Sequence, residues 1–167
     1  RESYDLTSTE ASLLMHPVDL SKLTEKVLDA FEPGIKDKGA VLTGAVDPMI
    51  IMNTDERLYS EVLNNLLSNA LKAVDKGGKI RVSLNQNKKY IILSVTDNGI
   101  GIKKEDQKHI FDRFYRVDSS RNKALGGSGL GLSITKNIVN QLGGDIKLSS
   151  KVGRGTVFRI YFKSPEQ

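Results

Sequence analysis

Glu61, Asn65 and Asn69 follow one another at intervals of four, and Lys72 lies three residues further on. On a helix that spacing stacks the four side chains along one face. Asparagine is a poor helix former because its side chain competes for backbone hydrogen bonds, so two in register call for some compensating interaction. An amide oxygen is a suitable neutral ligand for Mg²⁺, a hard cation that keeps several waters while it carries nucleotide phosphates. Lys72 would set a compact positive charge against phosphate. Taken alone, the same stripe also describes a solvent-facing helix surface beside an apolar one.

A second group is Asp97-Asn98-Gly99-Ile100-Gly101-Ile102, directly after a β-rich run ending near Thr96. A carboxylate at the end of a strand can accept a hydrogen bond from an exocyclic amine, and glycines two apart let backbone approach a flat ligand closely. Asn-Gly is equally a common turn, with Asp97 as its local cap. A third group, Gly126-Gly127-Ser128-Gly129-Leu130-Gly131, opens a helical pattern, and a helix start offers unpaired N–H groups and a positive dipole end to an anion. It does not fit Walker A, which needs G-x-x-x-x-G-K-[S/T], nor a dinucleotide fingerprint, which should follow a strand. Between these groups the polar stretch from Lys103 to Ser128 contains Phe111-Asp112-Arg113-Phe114-Tyr115-Arg116. A segment this long is either disordered or a functional lid. In a lid, the two phenylalanines would anchor it and Arg116 would meet the negative charge of a transferring phosphoryl group. In an ordinary helix end, the phenylalanines would be core and the arginines surface.

The elements that must position these groups follow from periodicity. Arg1 to Met15 shows no firm apolar period and is read as a linker or the frayed end of an upstream helix. From Val18, Leu20, Leu23, Val27, Leu28 and Phe31 mark an amphipathic helix that stops at Pro33-Gly34 or at Lys38-Gly39. Short strands are expected near Ala40 to Val46 and Met49 to Met52. Asn53-Thr54-Asp55 supplies capping oxygens for a long helix through Leu58, Val62, Leu63, Leu66, Leu67, Ala70 and Leu71. Ile80 to Leu84 and Tyr90 to Val95 read as a hairpin, and a short helix is expected from Gln107 to Phe114. A last helix runs through Ile134, Ile138, Val139 and Leu142 to Gly143-Gly144, followed by strands at Asp145 to Ser149 and Thr156 to Phe162. This order predicts an α+β, two-layer sandwich in which about three helices cover one face of a mixed sheet.

The 167 residues, 38% hydrophobic, suffice for one domain with a core of its own. Cysteine is absent, no leader opens the sequence, and no run approaches the roughly 18 apolar residues of a membrane span. A soluble, cytoplasmic domain is therefore expected. The net charge of +5 arises from scattered lysines and arginines, without the interleaved aromatics of a nucleic-acid surface, so no nucleic-acid partner is expected.

In order and spacing, five segments resemble the motifs of sensor histidine kinases. Leu63-Asn64-Asn65-Leu66-Leu67-Ser68-Asn69-Ala70 is similar to the N box and Asp97-Asn98-Gly99-Ile100-Gly101 to the first glycine box. Phe111 to Arg116 is similar to the F box, and Gly127-Ser128-Gly129-Leu130-Gly131-Leu132 to the second glycine box. Gly153-Arg154-Gly155-Thr156-Val157-Phe158 is similar to the terminal G-x-G-T-x-F. The resemblance runs from about Pro17 to Phe162. It implies the Bergerat-type ATP-binding sandwich shared with gyrase and the heat-shock chaperones, with residues 17–163 as the catalytic domain, 1–16 as a link to an upstream dimerisation helix and 164–167 as a tail.

Carried over by position, the resemblance makes Asn69 the Mg²⁺ ligand, supported by Asn65, and puts Lys72 on phosphate. Asp97 would hold the adenine amine of ATP, while Gly99, Gly101 and Ile102 shape the base pocket. Gly127, Gly129, Leu130 and Gly131 would wrap the phosphates. Tyr115 would lie near the base and Arg116 near the γ-phosphate, so that Arg116, Lys72 and Asn65 carry the catalytic roles. Glu61 receives no assignment. The implied partners are an upstream phosphoacceptor and dimerisation domain of the same kinase and a response regulator, with the isolated domain a monomer and the whole protein a homodimer.

Two departures qualify the resemblance. Many members carry an aromatic residue after the N-box lysine, where it packs on adenine, whereas this chain has Ala73, so packing is expected from Ile102 or Tyr115 and affinity is expected to be modest. The H-box histidine is also missing: His16 precedes Pro17, which disfavours helix, and His109 lies at the edge of the lid. Both histidines read as ordinary surface residues. The acceptor domain, any sensor and any membrane anchor are expected upstream of Arg1. Three alternatives stand beside the histidine kinase: a conformational-clamp ATPase, an anti-sigma-type serine kinase, which shares the glycine boxes, and a pure or degenerate nucleotide-binding module, against which the intact asparagines, Asp97 and glycines argue. The clamp would need a glutamate where Asn65 stands, and an amide cannot act as a base. Pro17-Val18-Asp19-Leu20, similar to the junction that follows the kinase's helical hairpin, argues against the serine kinase.

Overall fold

The computed structural model describes residues 13–115 and 131–165. Strand β1 (His16–Asp19) leads into helix α1 (Leu20–Lys38), then β2 (Val41–Val46), β3 (Ile51–Thr54) and helix α2 (Glu56–Ala73). Strands β4 (Lys79–Gln86) and β5 (Tyr90–Asp97) precede a single turn of helix, α3 (Lys104–Gln107). Helix α4 (Gly131–Gln141) and strands β6 (Asp145–Lys151) and β7 (Gly155–Lys163) complete the described chain.

Caps set the helix ends. The Asp19 side chain accepts the Lys22 N–H at the start of α1, and Gly39, at φ 75°, donates its N–H back to Ile35 and Lys36 to close it. Of the two stops legible in the sequence, the structure takes the second. Pro33 lies inside the helix because the bond it removes falls on the exposed side, where Asp29 also faces water, while Ile35 on the other side is buried. Asp55 caps α2 through the N–H groups of Arg57 and Leu58.

Five strands form one sheet in the order β2-β4-β5-β7-β6, with β2 and β4 parallel and every other pair antiparallel. Helices α1, α2 and α4 pack together over one face of it. Side chains alternate accordingly: Val82 and Leu84, Leu93 and Val95, Phe158 and Ile160 are buried beneath the helices, whereas Arg81 and Arg159 are exposed. The apolar face of α2, with Leu63, Leu66, Leu67 and Ala70, forms the middle of this core. The expected α+β sandwich, one helical layer on a mixed sheet, is therefore the observed architecture.

The differences are local. The sequence shows no sign of β1, which pairs antiparallel with β3 (His16 opposite Thr54) in a small sheet of two strands, because four residues with a proline are too few to show alternation. The strand expected at Met49 to Met52 begins later, at Ile51, since Met49 turns the chain at φ 63°. The helix expected from Gln107 to Phe114 is the short α3, which begins earlier, at Lys104, ends at Gln107 and is followed by turns, and Phe114 at φ 64° cannot continue a right-handed helix.

Candidate functional site

Asp97 ends the helix-facing row of β5 that begins Ile91, Leu93, Val95, and register sets it opposite Ile80 on one side and Thr156 on the other. The alternation that buries three aliphatic residues therefore also buries a carboxylate, which is 7% exposed. Burial pushes its pKa up from 3.8 to about 6, against the backbone donors of Gly99 and Thr156, which favour the charged form. The Gly99 N–H donates to Oδ1 at 2.8 Å. A buried carboxyl whose partners among the described residues are two backbone donors retains acceptor capacity for a ligand's N–H.

Beyond Asp97, the loop of residues 98–102 is wedged between α2 and the β6–β7 turn. The Ile100 N–H donates to the Ala73 carbonyl at 3.1 Å, and the Gly153 N–H donates to the Ile100 carbonyl at 2.8 Å. A methyl group on Gly99 would strike the Ala73 carbonyl, and one on Gly101, at φ 76°, would strike the Lys151 carbonyl. These two glycines are thus required by backbone lying against backbone. Ala73 is itself buried under the loop. Ile102 is buried with Ile110 in a small apolar cluster that also holds Phe111, Leu132 and Leu148. Its N–H donates to Ser150 Oγ at 2.8 Å, and the Ser150 hydroxyl donates to the Gly155 carbonyl at 2.9 Å. Gln107 Nε2 closes the same corner by donating to the carbonyls of Ile102 and Ser150.

On α2, Asn65 and Asn69 are half-buried while Glu61 and Lys72 are exposed. The Asn65 side chain reaches helix α4: its Nδ2 donates to Thr135 Oγ1 at 3.2 Å, and that hydroxyl donates to the Gly131 carbonyl at 2.8 Å. The Asn69 carboxamide has no hydrogen-bond partner among the described residues. Lys38 Nζ, from α1, donates to the Leu71 carbonyl near the end of α2, where the helix dipole favours a cation.

The segment after the loop is tied to α3. The Tyr115 hydroxyl donates to the buried carboxylate of Asp106, which raises the tyrosine pKa, and its ring stacks on His109. Phe111 meets Phe158 edge to face, which anchors this segment to the sheet, whereas Phe114 is 59% exposed beneath the Arg113 guanidinium. Both histidines are surface residues as expected: His16 pairs with Glu56 and His109 with Asp112.

Of the residues singled out in the sequence, the structure gathers Asp97, Gly99, Gly101 and Ile102 into one loop resting on the end of α2, and links Asn65 to Gly131. Tyr115 has its described contacts with Asp106 and His109, and Lys72 projects to solvent. Arg116, Gly127, Gly129 and Leu130 lie outside the described residues. Sequence reasoning did not single out Ser150, Gln107 or Thr135. For Thr135 a signal existed: it is a hydroxyl residue fully buried among Ile138 and Val139, in the apolar period of α4.

With the geometry in place, comparison with known proteins resolves its class. Residues 54–166 match the family described as histidine kinase-, DNA gyrase B- and HSP90-like ATPase. The chain is 36% identical over 154 residues to the sensor histidine kinase WalK of Bacillus subtilis, covering 90% of this chain and 25% of that protein. It is 50% identical over 104 residues to the signal transduction histidine-protein kinase ArlS of Staphylococcus aureus, covering 62% of this chain and 23% of that one. Among solved structures, the catalytic domain of the histidine kinase ThkA superposes with a TM-score of 0.79 at 25% identity, over 90% of this chain and 98% of that one. ThkA has also been solved in complex with the response regulator protein TrrA. The chain belongs to the histidine kinase-, DNA gyrase B- and HSP90-like ATPase family, and it matches the ATPase portion of sensor histidine kinases. It spans about a quarter of the length of the curated relatives it matches.

Proposed function

We propose that this chain binds Mg-ATP and, within the intact protein, passes the γ-phosphoryl group to a histidine on an upstream dimerisation domain, for onward transfer to a response regulator. The observation that carries the reading is Asp97: a carboxylate buried at the end of a central strand, next to a loop whose glycines are pressed against backbone. Asp97 accepts the adenine amine, Gly99, Gly101 and Ile102 shape the base pocket, and Tyr115 lies toward the base. The residue set on α2 fits a hard cation, because among the described residues neither the half-buried Asn69 carboxamide nor the Asn65 carbonyl oxygen has a hydrogen-bond partner. Bound there, Mg²⁺ would neutralise charge on the phosphates. Asn69 holds the metal, Asn65 supports it, and Lys72 supplies a point charge.

Gly127, Gly129, Leu130 and Gly131 wrap the phosphates, and Arg116 meets the charge developing on the γ-phosphoryl group. Catalysis on this reading is positioning and electrostatics. Asn65 cannot activate water, which favours transfer over hydrolysis. Residues 17–163 are the catalytic unit, 1–16 the link to the acceptor helices and 164–167 a tail; dimerisation belongs to the absent helices, and the fragment itself is a monomer.

Calorimetric titration with a non-hydrolysable ATP analogue, with and without Mg²⁺, tests this site. Binding strengthened by Mg²⁺, weakened in Asp97→Asn and losing its metal dependence in Asn69→Asp is expected. Absence of binding in every condition would overturn it. The transfer step is checked by restoring the upstream helices and following label from ATP onto histidine.

A further inference from the structure

The proposed site uses the carbonyl end of the Asn65 carboxamide, yet nothing on α2 itself fixes which end of that amide faces the phosphates. The determinant lies 70 positions later in the chain, on α4. Thr135 is fully buried, and its hydroxyl has a single hydrogen, which is donated to the Gly131 carbonyl one turn back at 2.8 Å. Toward Asn65, at 3.2 Å, the hydroxyl can only accept, so the group facing it must be Nδ2. The carbonyl oxygen is thereby turned away from Thr135. Reversing the amide would bring two acceptor oxygens together at Thr135 and present N–H groups to a cation on the other side. Both ends of the reversed amide are penalised.

We infer that Thr135 is a positioning residue: through Gly131 O ← Thr135 Oγ1 ← Asn65 Nδ2 it sets the polarity of the Asn65 amide and ties the metal-facing side of α2 to the first turn of α4. This rests on the Mg-ATP reading for its consequence, while the arrangement of the amide stands independently of any ligand. Packing alone does not call for a hydroxyl here, since valine has the same shape and would suit Ile138 and Val139 as well. The hydroxyl also explains how Gly131, at the start of α4, is registered against a helix from a different part of the chain.

Two measurements on the same variants test it. In the first, side-chain amide signals of the nucleotide-free protein are followed by NMR. A slowly exchanging Asn65 Nδ2 proton is expected in the wild type, retained in Thr135→Ser and lost in Thr135→Val. In the second, titration with AMPPNP gives the gain in affinity produced by Mg²⁺. Loss of one hydrogen bond should shrink that gain about three- to tenfold in Thr135→Val, with Thr135→Ser within about twofold of wild type. Should Thr135→Val fail to fold, Thr135→Ala takes its place. An Asn65 amide signal unchanged by Thr135→Val, an undiminished Mg²⁺ gain, or equal losses in the serine and valine variants would overturn the inference. A wild-type protein that shows no Mg²⁺ gain refutes the Mg-ATP reading instead, and the amide signal then decides on Thr135 by itself.

Discussion

Replacing Asp97 by asparagine removes a charge that the fold holds at a cost. Burial raises its pKa from 3.8 to about 6, and that difference of about two units corresponds to ~3 kcal/mol between the protonation states. The sign follows from linkage. Below about pH 4 the carboxyl is protonated in both folded and unfolded chains and costs nothing; as the pH rises through 6 the folded state must give up its proton against burial, so stability falls. Asparagine keeps an oxygen for the Gly99 N–H, but its amine replaces an acceptor near the Thr156 N–H, which offsets part of the gain. We therefore expect Asp97→Asn to stabilise the nucleotide-free protein by ~1–2 kcal/mol near pH 8, roughly 2–8 °C in Tm for a domain of this size. The advantage should fade toward pH 5, and affinity for the ATP analogue should be lost. Urea unfolding across that pH range, paired with calorimetry, provides the assay. A difference independent of pH, or a variant less stable than wild type near pH 8, would refute the argument that Asp97 is a strained, buried acceptor retained for binding.

Affinity of the wild-type protein for the analogue should itself fall as the pH drops through about 6, because protonation turns one Asp97 oxygen into a hydroxyl and weakens the carboxyl as an acceptor for an amine; titration between pH 5 and 8 checks this. Asp55 behaves oppositely: hydrogen bonding to Arg57, with the N–H groups of Leu14 and Leu58, holds it down to about 2 against the cost of burial. Its contribution is complete above about pH 4 and lost as the pH falls toward 2, so Asp55→Ala should cost ~2 kcal/mol at neutral pH and flatten the acid limb of stability. Gly101→Ala forces a methyl group into the Lys151 carbonyl at φ 76°, and should both weaken analogue binding and lower Tm, as scanning calorimetry would show. Ser150→Ala leaves the Ile102 N–H without its acceptor and should cost about 1–2 kcal/mol in urea unfolding.

Much of this molecule is written locally. The apolar period of α2, its Asp55 cap and the Lys38-Gly39 stop mark two helices because capping and a 3.6-residue stripe involve neighbours in sequence. The shared face of the asparagines is likewise local, since residues four apart on a helix share a face in any fold. Strand order does not follow from such patterns. Pairing β2 with β4, or β7 with β5, joins distant segments, and β1 is too short to show a period. Nor does the sequence say that Asp97, ordinary as a turn cap, is buried and holds its proton to about pH 6; that depends on the helices above β5. Ser150 looks like any surface hydroxyl in the sequence and Thr135 shows only its place in the apolar period of α4; they gain their roles from partners 48 and 70 positions away. What the sequence by itself determined was the elements, and the motifs that mark the family. Burial and long-range hydrogen bonding, which exist only once the layers have packed, decided the charge of Asp97 and the orientation of Asn65.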